Sequence, residues 1–237
     1  MLRRFLLTVA LLAAVAVRAA EPSAAYLRQA RKARGFFEAR EWLNATAMYT
    51  LMLEECPREA DTYAHAIVAR YFEADTAYAI SLIQRAMDHG VALDSLLADV
   101  RTTSFGAGSP DMYEDILLHA RTAYPYLARS INARLTDYYD FRSNAPQLIA
   151  MSRHMLSASP GNLRYRRLLA RGYMLDGAPE QAAGIWRQIL AADPDQLDTL
   201  LDLGSLYWLT GQRDKARPLL TRAYSLAPSP YLESLLE

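Results

Sequence analysis

The feature that most constrains this chain is an internal repeat with a period of 34 residues, which runs from Leu163 to Pro228. Within it an apolar residue, an aromatic residue, a glycine, an alanine and a proline recur at fixed separations. Self-similarity at this period indicates that one small structural unit packs against its own copy. The matching residues are Leu169, Tyr173, Gly177, Ala182 and Pro194, followed by Leu203, Tyr207, Gly211, Ala216 and Pro228.

Each copy has the pattern of two helices joined by a short turn. Ala170 and Gly204 occupy equivalent positions in the first helix, where a small side chain lets the second helix approach closely. Gly177 and Gly211 end the first helices, because glycine readily adopts the left-handed backbone of a helix terminus. The recurring prolines end the second helices.

This pattern resembles the tetratricopeptide repeat, a helix-turn-helix unit that stacks into a right-handed, all-α solenoid. A more degenerate copy spans residues 23–57, where Arg40 replaces the turn glycine. The resemblance implies roughly five to six helical pairs and a non-enzymatic adaptor or scaffold that binds other proteins. Residues 58–160 are predicted to form less regular helical pairs, with the period lost from Val91 to Asn144 and a loop at 102–110. Residues 229–237 are predicted to cap the array.

The amino terminus has the pattern of a secretory signal peptide over residues 1–19. Arg3 and Arg4 precede an apolar run, and Val17 and Ala19 satisfy the small-residue rule for cleavage. The run is shorter than the about 20 residues of a spanning helix, so a retained anchor is the less favoured alternative. The sequence therefore predicts export to the periplasm or the extracellular space, with no membrane span after cleavage.

Charge and cysteine content narrow the class of partner. Cleavage would reduce the 26 basic residues to 23 against 26 acidic ones, a net charge of about −3. A weakly acidic protein lacks the basic footprint expected of a nucleic-acid binder. Cys56 is the only cysteine, so no disulfide can form within the chain.

No motif for catalysis, a metal or a cofactor occurs. The four histidines fall in separate segments, and none has a partner at metal-ligand spacing on one helix. Adjacent carboxylates such as Glu54 and Glu55 point in different directions on a helix and cannot share one substrate proton. The sequence therefore predicts a protein that is not an enzyme and needs no cofactor.

A stripe of arginines is the candidate binding site. Its members lie three and four residues apart, so they share one face of a helix. The resemblance implies that this face lines a concave groove for a partner segment, and guanidinium groups match a carboxylate with two hydrogen bonds. The predicted partner is an acidic protein or peptide, and the predicted partner-binding residues are Arg164, Arg167, Arg171 and Trp208.

The alternative for this stripe is a set of salt bridges within the chain. Asp198 and Asp202 lie on the next first helix, where stacking of the repeats would bring them near the arginines. Exposed ion pairs of this kind contribute about 0–1 kcal/mol each. Both interpretations stay open on the sequence alone.

An aromatic segment from Tyr113 to Phe141 offers two hypotheses besides the adaptor. The first is a protein that binds a small molecule or a glycan, which requires a deep cleft walled by Tyr113, Tyr124, Tyr138 and Tyr139; the adaptor instead has these rings buried in the core. The second is a hydrolase that uses scattered carboxylates and tyrosines of residues 111–140. Tyrosine at helical spacing favours the core.

Overall fold

The computed structural model describes residues 23–236, which contain thirteen α-helices, one short 3-10 turn and no strand. The predicted all-α helical-repeat fold is therefore confirmed. The predicted signal peptide lies outside the described residues, and none of the thirteen helices is long and apolar enough to span a bilayer. The helices are α1 (Ala24–Glu38), α2 (Trp42–Glu55), α3 (Ala60–Phe72), α4 (Thr76–Asp88), α5 (Leu93–Gly106), α6 (Asp111–Ala123), α7 (Ala128–Phe141), α8 (Ala145–Ala158), α9 (Leu163–Leu175), α10 (Pro179–Ala192), α11 (Leu197–Leu209), α12 (Arg213–Leu226) and α13 (Pro230–Leu236), with the 3-10 turn at Pro125–Leu127.

The 34-residue period runs through all the described pairs of helices. One residue with positive φ lies in the turn after each odd-numbered helix from α1 to α11, and successive ones are 34 or 35 residues apart. We call these odd-numbered helices the first helices and α2 to α12 the second helices. The prediction that the period is lost from Val91 to Asn144 is therefore wrong. The left-handed residues in these turns are Arg40, Ala74, Gly108, Ser143, Gly177 and Gly211, with φ between 52° and 77°.

A single inserted residue explains why the period is hard to see in the middle of the sequence. The interval from Gly108 to Ser143 is 35 residues, whereas the neighbouring intervals are 34. The separations Gly108 to Pro125 and Ser143 to Pro160 are equal, so the extra residue lies between Pro125 and Ser143. There the chain makes the 3-10 turn before it enters α7.

The loop predicted at 102–110 is shorter in the structure. Helix α5 continues to Gly106, and only residues 107–110 connect it to α6. The hydroxyls of Thr102 and Ser104 donate to the carbonyls four residues earlier, at 3.1 and 2.8 Å, so they are accommodated within the helix instead of ending it. Helix α6 begins at Asp111, directly after this connection.

The described part of the chain divides into two compact units, with the division between Ile116 and Leu117. The described part of the first unit has a core that includes the fully buried Tyr63, Ile67 and Leu97. The core of the second unit includes Trp186 and Leu220. The predicted carboxy-terminal cap is the helix α13, which buries Leu232 against that second core.

Small residues set the close approach of helices in the second unit, as predicted. A Cβ atom at Gly204 of α11 would lie 2.7 Å from Leu220 Cδ2 of α12. Gly172 of α9 makes a further close contact, with α8, that the repeat pattern did not indicate. A Cβ atom there would lie 2.8 Å from Ile149 Cγ1. Glycine at these positions fixes the distance between α9, α11 and their neighbours.

Candidate functional site

Three first helices of the second unit, α7, α9 and α11, border a groove of about 940 Å³. Two of these helices begin at side-chain caps: Asn162 accepts from the Tyr165 N–H at 3.2 Å, and Gln196 accepts from the Thr199 N–H at 2.6 Å. The caps fix where each helix starts and therefore which side chains face the groove. We call it the ion-pair groove; its charged lining residues are Asp137, Asp140, Arg164, Arg167, Arg171, Asp198 and Asp202.

The central arginine of the groove contacts two carboxylates of α11. Arg167 Nη1 donates to Asp198 Oδ2 at 2.6 Å, and Nη2 donates to Asp202 Oδ2 at 2.9 Å. The side chain of Arg167 is 29 % exposed, and that of Asp198 is 57 % exposed. The salt bridges considered as the alternative for the arginine stripe are therefore present at Arg167.

The two outer arginines pair with α7, a helix that is not among the partners predicted from the sequence. Arg164 donates to Asp137 and Arg171 pairs with Asp140. Each of these pairs joins one cation to one anion. All three predicted arginines thus line the groove together, and all three face a carboxylate.

The charges that line this groove do not cancel. Three arginines face four aspartates, so the lining carries a net charge of about −1 at neutral pH. Asp137 and Asp140 each have their own arginine, whereas Asp198 and Asp202 share Arg167. The excess negative charge therefore lies on α11.

Apolar side chains, together with Gln196 and Ser205, form the rest of the groove. Leu175 and Leu209 stand 34 residues apart at the ends of α9 and α11, and they are 40 % and 82 % exposed. Trp186 of α10 also borders the groove; it is 4 % exposed, and its Nε1 has no acceptor among the described residues. The remaining apolar lining residues are Leu163, Leu168, Met174, Leu201 and Leu206.

The fourth predicted site residue, Trp208, does not line this groove. Its half-buried ring packs against the core of the second unit and lies beneath the Arg213 guanidinium, 3.4 Å from the ring centroid. Successive residues on a helix point about 100° apart, and at this helix end it is Leu209 that faces the groove. The prediction that Trp208 lines the groove is therefore wrong.

The first unit contains a second groove, of about 500 Å³, that no motif indicated. His65 Nδ1 lies 2.8 Å from the Asp61 carbonyl oxygen and 3.3 Å from its Oδ1, and this imidazole lowers the pKa of the Asp61 carboxyl. Burial, and then the nearby Asp61, raises the pKa of the Asp99 carboxyl. The Phe37 ring packs edge-on against His65, with centroids 4.9 Å apart. These residues come from α1, α3 and α5, so only the folded repeats bring them together.

The tyrosines of the aromatic segment are mostly core. Tyr113, Tyr138 and Tyr139 are each 2 % exposed, and neither groove is lined by them or by Tyr124. This favours the core interpretation over a cleft walled by their rings. No cluster of three or more histidine, cysteine or acidic side chains in residues 23–236 could hold a metal ion.

The chain from the end of α9 onward can be compared with a known family. Residues 173–237 match the tetratricopeptide repeat family. The tetratricopeptide repeat inferred from the 34-residue period is thus confirmed where that period is clearest. No curated protein matches the chain.

Several solved structures are similar to this chain at low sequence identity. A tetratricopeptide repeat protein from Parabacteroides merdae is 11 % identical, with 86 % of this chain and 80 % of that one covered and a TM-score of 0.49. MamA AMB-1 is 15 % identical, with 69 % and 96 % covered and a TM-score of 0.46. The carboxy-terminal part of a repeat protein from Cytophaga hutchinsonii is 14 % identical, with 82 % and 78 % covered and a TM-score of 0.46.

Proposed function

We propose that this protein is an exported, non-catalytic adaptor whose second unit binds a segment of another protein in the ion-pair groove. The observation that carries the proposal is the exposure of Leu175 and Leu209 beside a ladder of ion pairs. Exposed apolar side chains next to ion-paired side chains are typical of a binding surface, because the apolar part drives association and the charges orient the partner. The match to tetratricopeptide repeats supports a protein as the partner.

The arginine stripe has a different role in this proposal from the one that the sequence suggested. Arg164, Arg167 and Arg171 remain lining residues of the binding groove, but their guanidinium groups already face carboxylates. An acidic partner would have to displace those carboxylates, so an acidic partner is not carried forward. The stripe joins three first helices and holds the groove in shape.

Export is the second part of the proposal. It is supported by the sequence of residues 1–19, where arginines precede a short apolar run and a small-residue cleavage pattern. Fractionation of cells that make the tagged chain should recover a shortened form outside the cytoplasm. A variant with Glu at both Arg3 and Arg4 should be exported more slowly, since the positive amino-terminal region is lost. Recovery of the full-length chain in the cytoplasm would contradict this part.

Site-specific photocrosslinking in native cells tests the binding role. A photoreactive residue at Leu209 should give crosslinks to a defined protein, and the same residue at Leu43 should not, although Leu43 is 72 % exposed. Leu175→Asp should abolish the crosslink from position 209, because it places a charge in the apolar part of the groove. Equal crosslinking from positions 209 and 43, or none from 209, would contradict the proposal.

A further inference from the structure

The distribution of charge and apolar surface along α11 specifies the chemistry of the segment that the groove accepts. Asp198, Asp202, Ser205 and Leu209 are spaced four, three and four residues apart, so they lie on one face of the helix. All four line the ion-pair groove. This face is acidic at its start and apolar at its end.

The acidic end has a deficit of positive charge. Asp198 and Asp202 share the single guanidinium of Arg167, and the side chain of Asp198 is 57 % exposed. A second cation beside Asp198 would remove the net negative charge of the lining without displacing an existing ion pair. An anion placed there would meet two carboxylates and only one guanidinium, which is already paired on both sides.

The apolar end lacks a cover. Leu209 is 82 % exposed and Leu175 40 % exposed. An apolar side chain seated between them would remove that surface from water, which is favourable by about 25 cal/mol for each Å² buried. The indole N–H of Trp186 is buried at the edge of the same groove and has no acceptor among the described residues.

We infer that the ion-pair groove binds a protein segment that places a lysine or arginine beside Asp198 and Asp202 and a leucine-like side chain beside Leu209. This inference rests on the proposed function and adds the chemistry of the partner. From Asp202 and Asp198 to Leu209 the helix rises about 10 and 16 Å, which an extended segment spans with about three and five residues. The basic residue therefore precedes or follows the apolar one by about three to five positions in an extended partner.

Two matched synthetic peptides test this inference. Both carry a pair of leucines, and about four residues away one has a pair of lysines and the other a pair of glutamates. Fluorescence anisotropy with the purified chain should show that the lysine peptide binds about tenfold more tightly or better, because charge complementarity separates the two. That preference should weaken as salt is added, since the carboxylates are partly exposed.

Charge variants locate the effect. Asp198→Asn should weaken binding of the lysine peptide, whereas Asp214→Asn should not, because Asp214 is exposed on α12 outside the groove. Asp198→Lys should shift the preference toward the glutamate peptide. In both Asp198 variants Asp202 still pairs with Arg167, so the fold is retained, which circular dichroism checks.

The outcomes separate this inference from the proposed function. Tighter binding of the glutamate peptide to the unaltered chain would overturn the inference while leaving the groove as a binding site. Equal binding of the two peptides would also overturn it. If neither peptide binds, the inference is wrong, and crosslinking at Leu209 then decides the proposed function independently.

Discussion

At the scale of single residues, the turn after each first helix requires one residue in the left-handed conformation. Glycine fills this position in three of the six described pairs, and Arg40, Ala74 and Ser143 fill it in the others. A side chain makes that conformation less favourable by about 1–2 kcal/mol. The chain tolerates the strain because helix packing on both sides of the turn fixes its geometry.

Ala74→Gly should therefore stabilise the protein. Relief of backbone strain outweighs the greater freedom of glycine in the unfolded chain, for a net gain of about 0.5–1 kcal/mol. Ala107→Gly is the matched control, because Ala107 lies in the equivalent turn at a φ of −75°. Chemical denaturation should show the first variant more stable and the second less stable than the unaltered protein. Equal effects of the two changes would contradict a strained Ala74.

The burial of Tyr49 predicts that the stability of the protein depends on pH in the alkaline range. The side chain is 3 % exposed, and burial raises the pKa of its hydroxyl well above the usual value of 10.0. A group whose pKa is raised on folding contributes stability below its unfolded pKa, and the contribution is lost as the pH rises above about 10. Tyr49→Phe should therefore retain more stability than the unaltered protein above that pH. Denaturation curves across this range check the prediction, with Tyr126→Phe as the exposed-tyrosine control. Equal loss of stability with pH in Tyr49→Phe and in the unaltered protein would contradict it.

At the scale of helices, glycine has opposite effects at two positions of the second unit. Gly204 lies where a Cβ atom would be 2.7 Å from Leu220, whereas a Cβ atom at Gly184 of α10 would meet nothing within 4 Å. Gly204→Ala should destabilise the protein by about 1–3 kcal/mol through overpacking. Gly184→Ala should stabilise it by about 0.5–1 kcal/mol, because alanine favours the helix. Thermal unfolding of the two variants checks both signs, and a stabilising Gly204→Ala would show that α11 and α12 are not held this closely.

The ion pairs between helices predict a salt-dependent contribution at Arg167. Arg167→Met removes the cation that Asp198 and Asp202 share, and the two carboxylates then repel each other. The loss in free energy of unfolding should be about 1 kcal/mol at low salt and should shrink at high salt. Arg222→Met removes a guanidinium that pairs with one exposed carboxylate, that of Asp195, and should change stability little. A loss at Arg167 that is independent of salt would contradict this electrostatic origin.

Much of the helix and turn structure follows from the sequence, and the turns that the sequence hides have identifiable causes. Gly177 and Gly211 mark turns because glycine readily adopts the left-handed backbone of a helix end. Ala74 and Ser143 give no such signal, since only the folded backbone shows their positive φ. The inserted residue before Ser143 then breaks the register in which a period would be recognised.

The site was predictable only in part for a related reason. The spacing of Arg164, Arg167 and Arg171 on one helix shows that they share a face, and the next copy of the repeat supplies Asp198 and Asp202. Their partners on α7 come from the pair whose period was hidden. Which of Trp208 and Leu209 faces the groove depends on the rotation of the last turn of α11, which a spacing argument does not fix to within one residue.

At the scale of the whole molecule, the two units present different chemistry in equivalent places. The groove of the second unit has ion pairs and exposed leucines, whereas that of the first has His65 between aromatic rings and carboxylates. The same repeat thus gives two surfaces because the lining positions carry different side chains while the packing positions are retained. The binding role is assigned to the second unit because its groove combines ion pairs with exposed leucines.

We expect the ion-pair groove to receive a basic and apolar protein segment. Titration of the isotope-labelled chain with the lysine and leucine peptide, followed through the amide and methyl resonances of the chain, tests this. Shifts should concentrate at Arg167, Asp198, Ser205 and Leu209, while the groove around His65 should not respond. Shifts confined to the groove around His65, or none at saturating peptide, would contradict it.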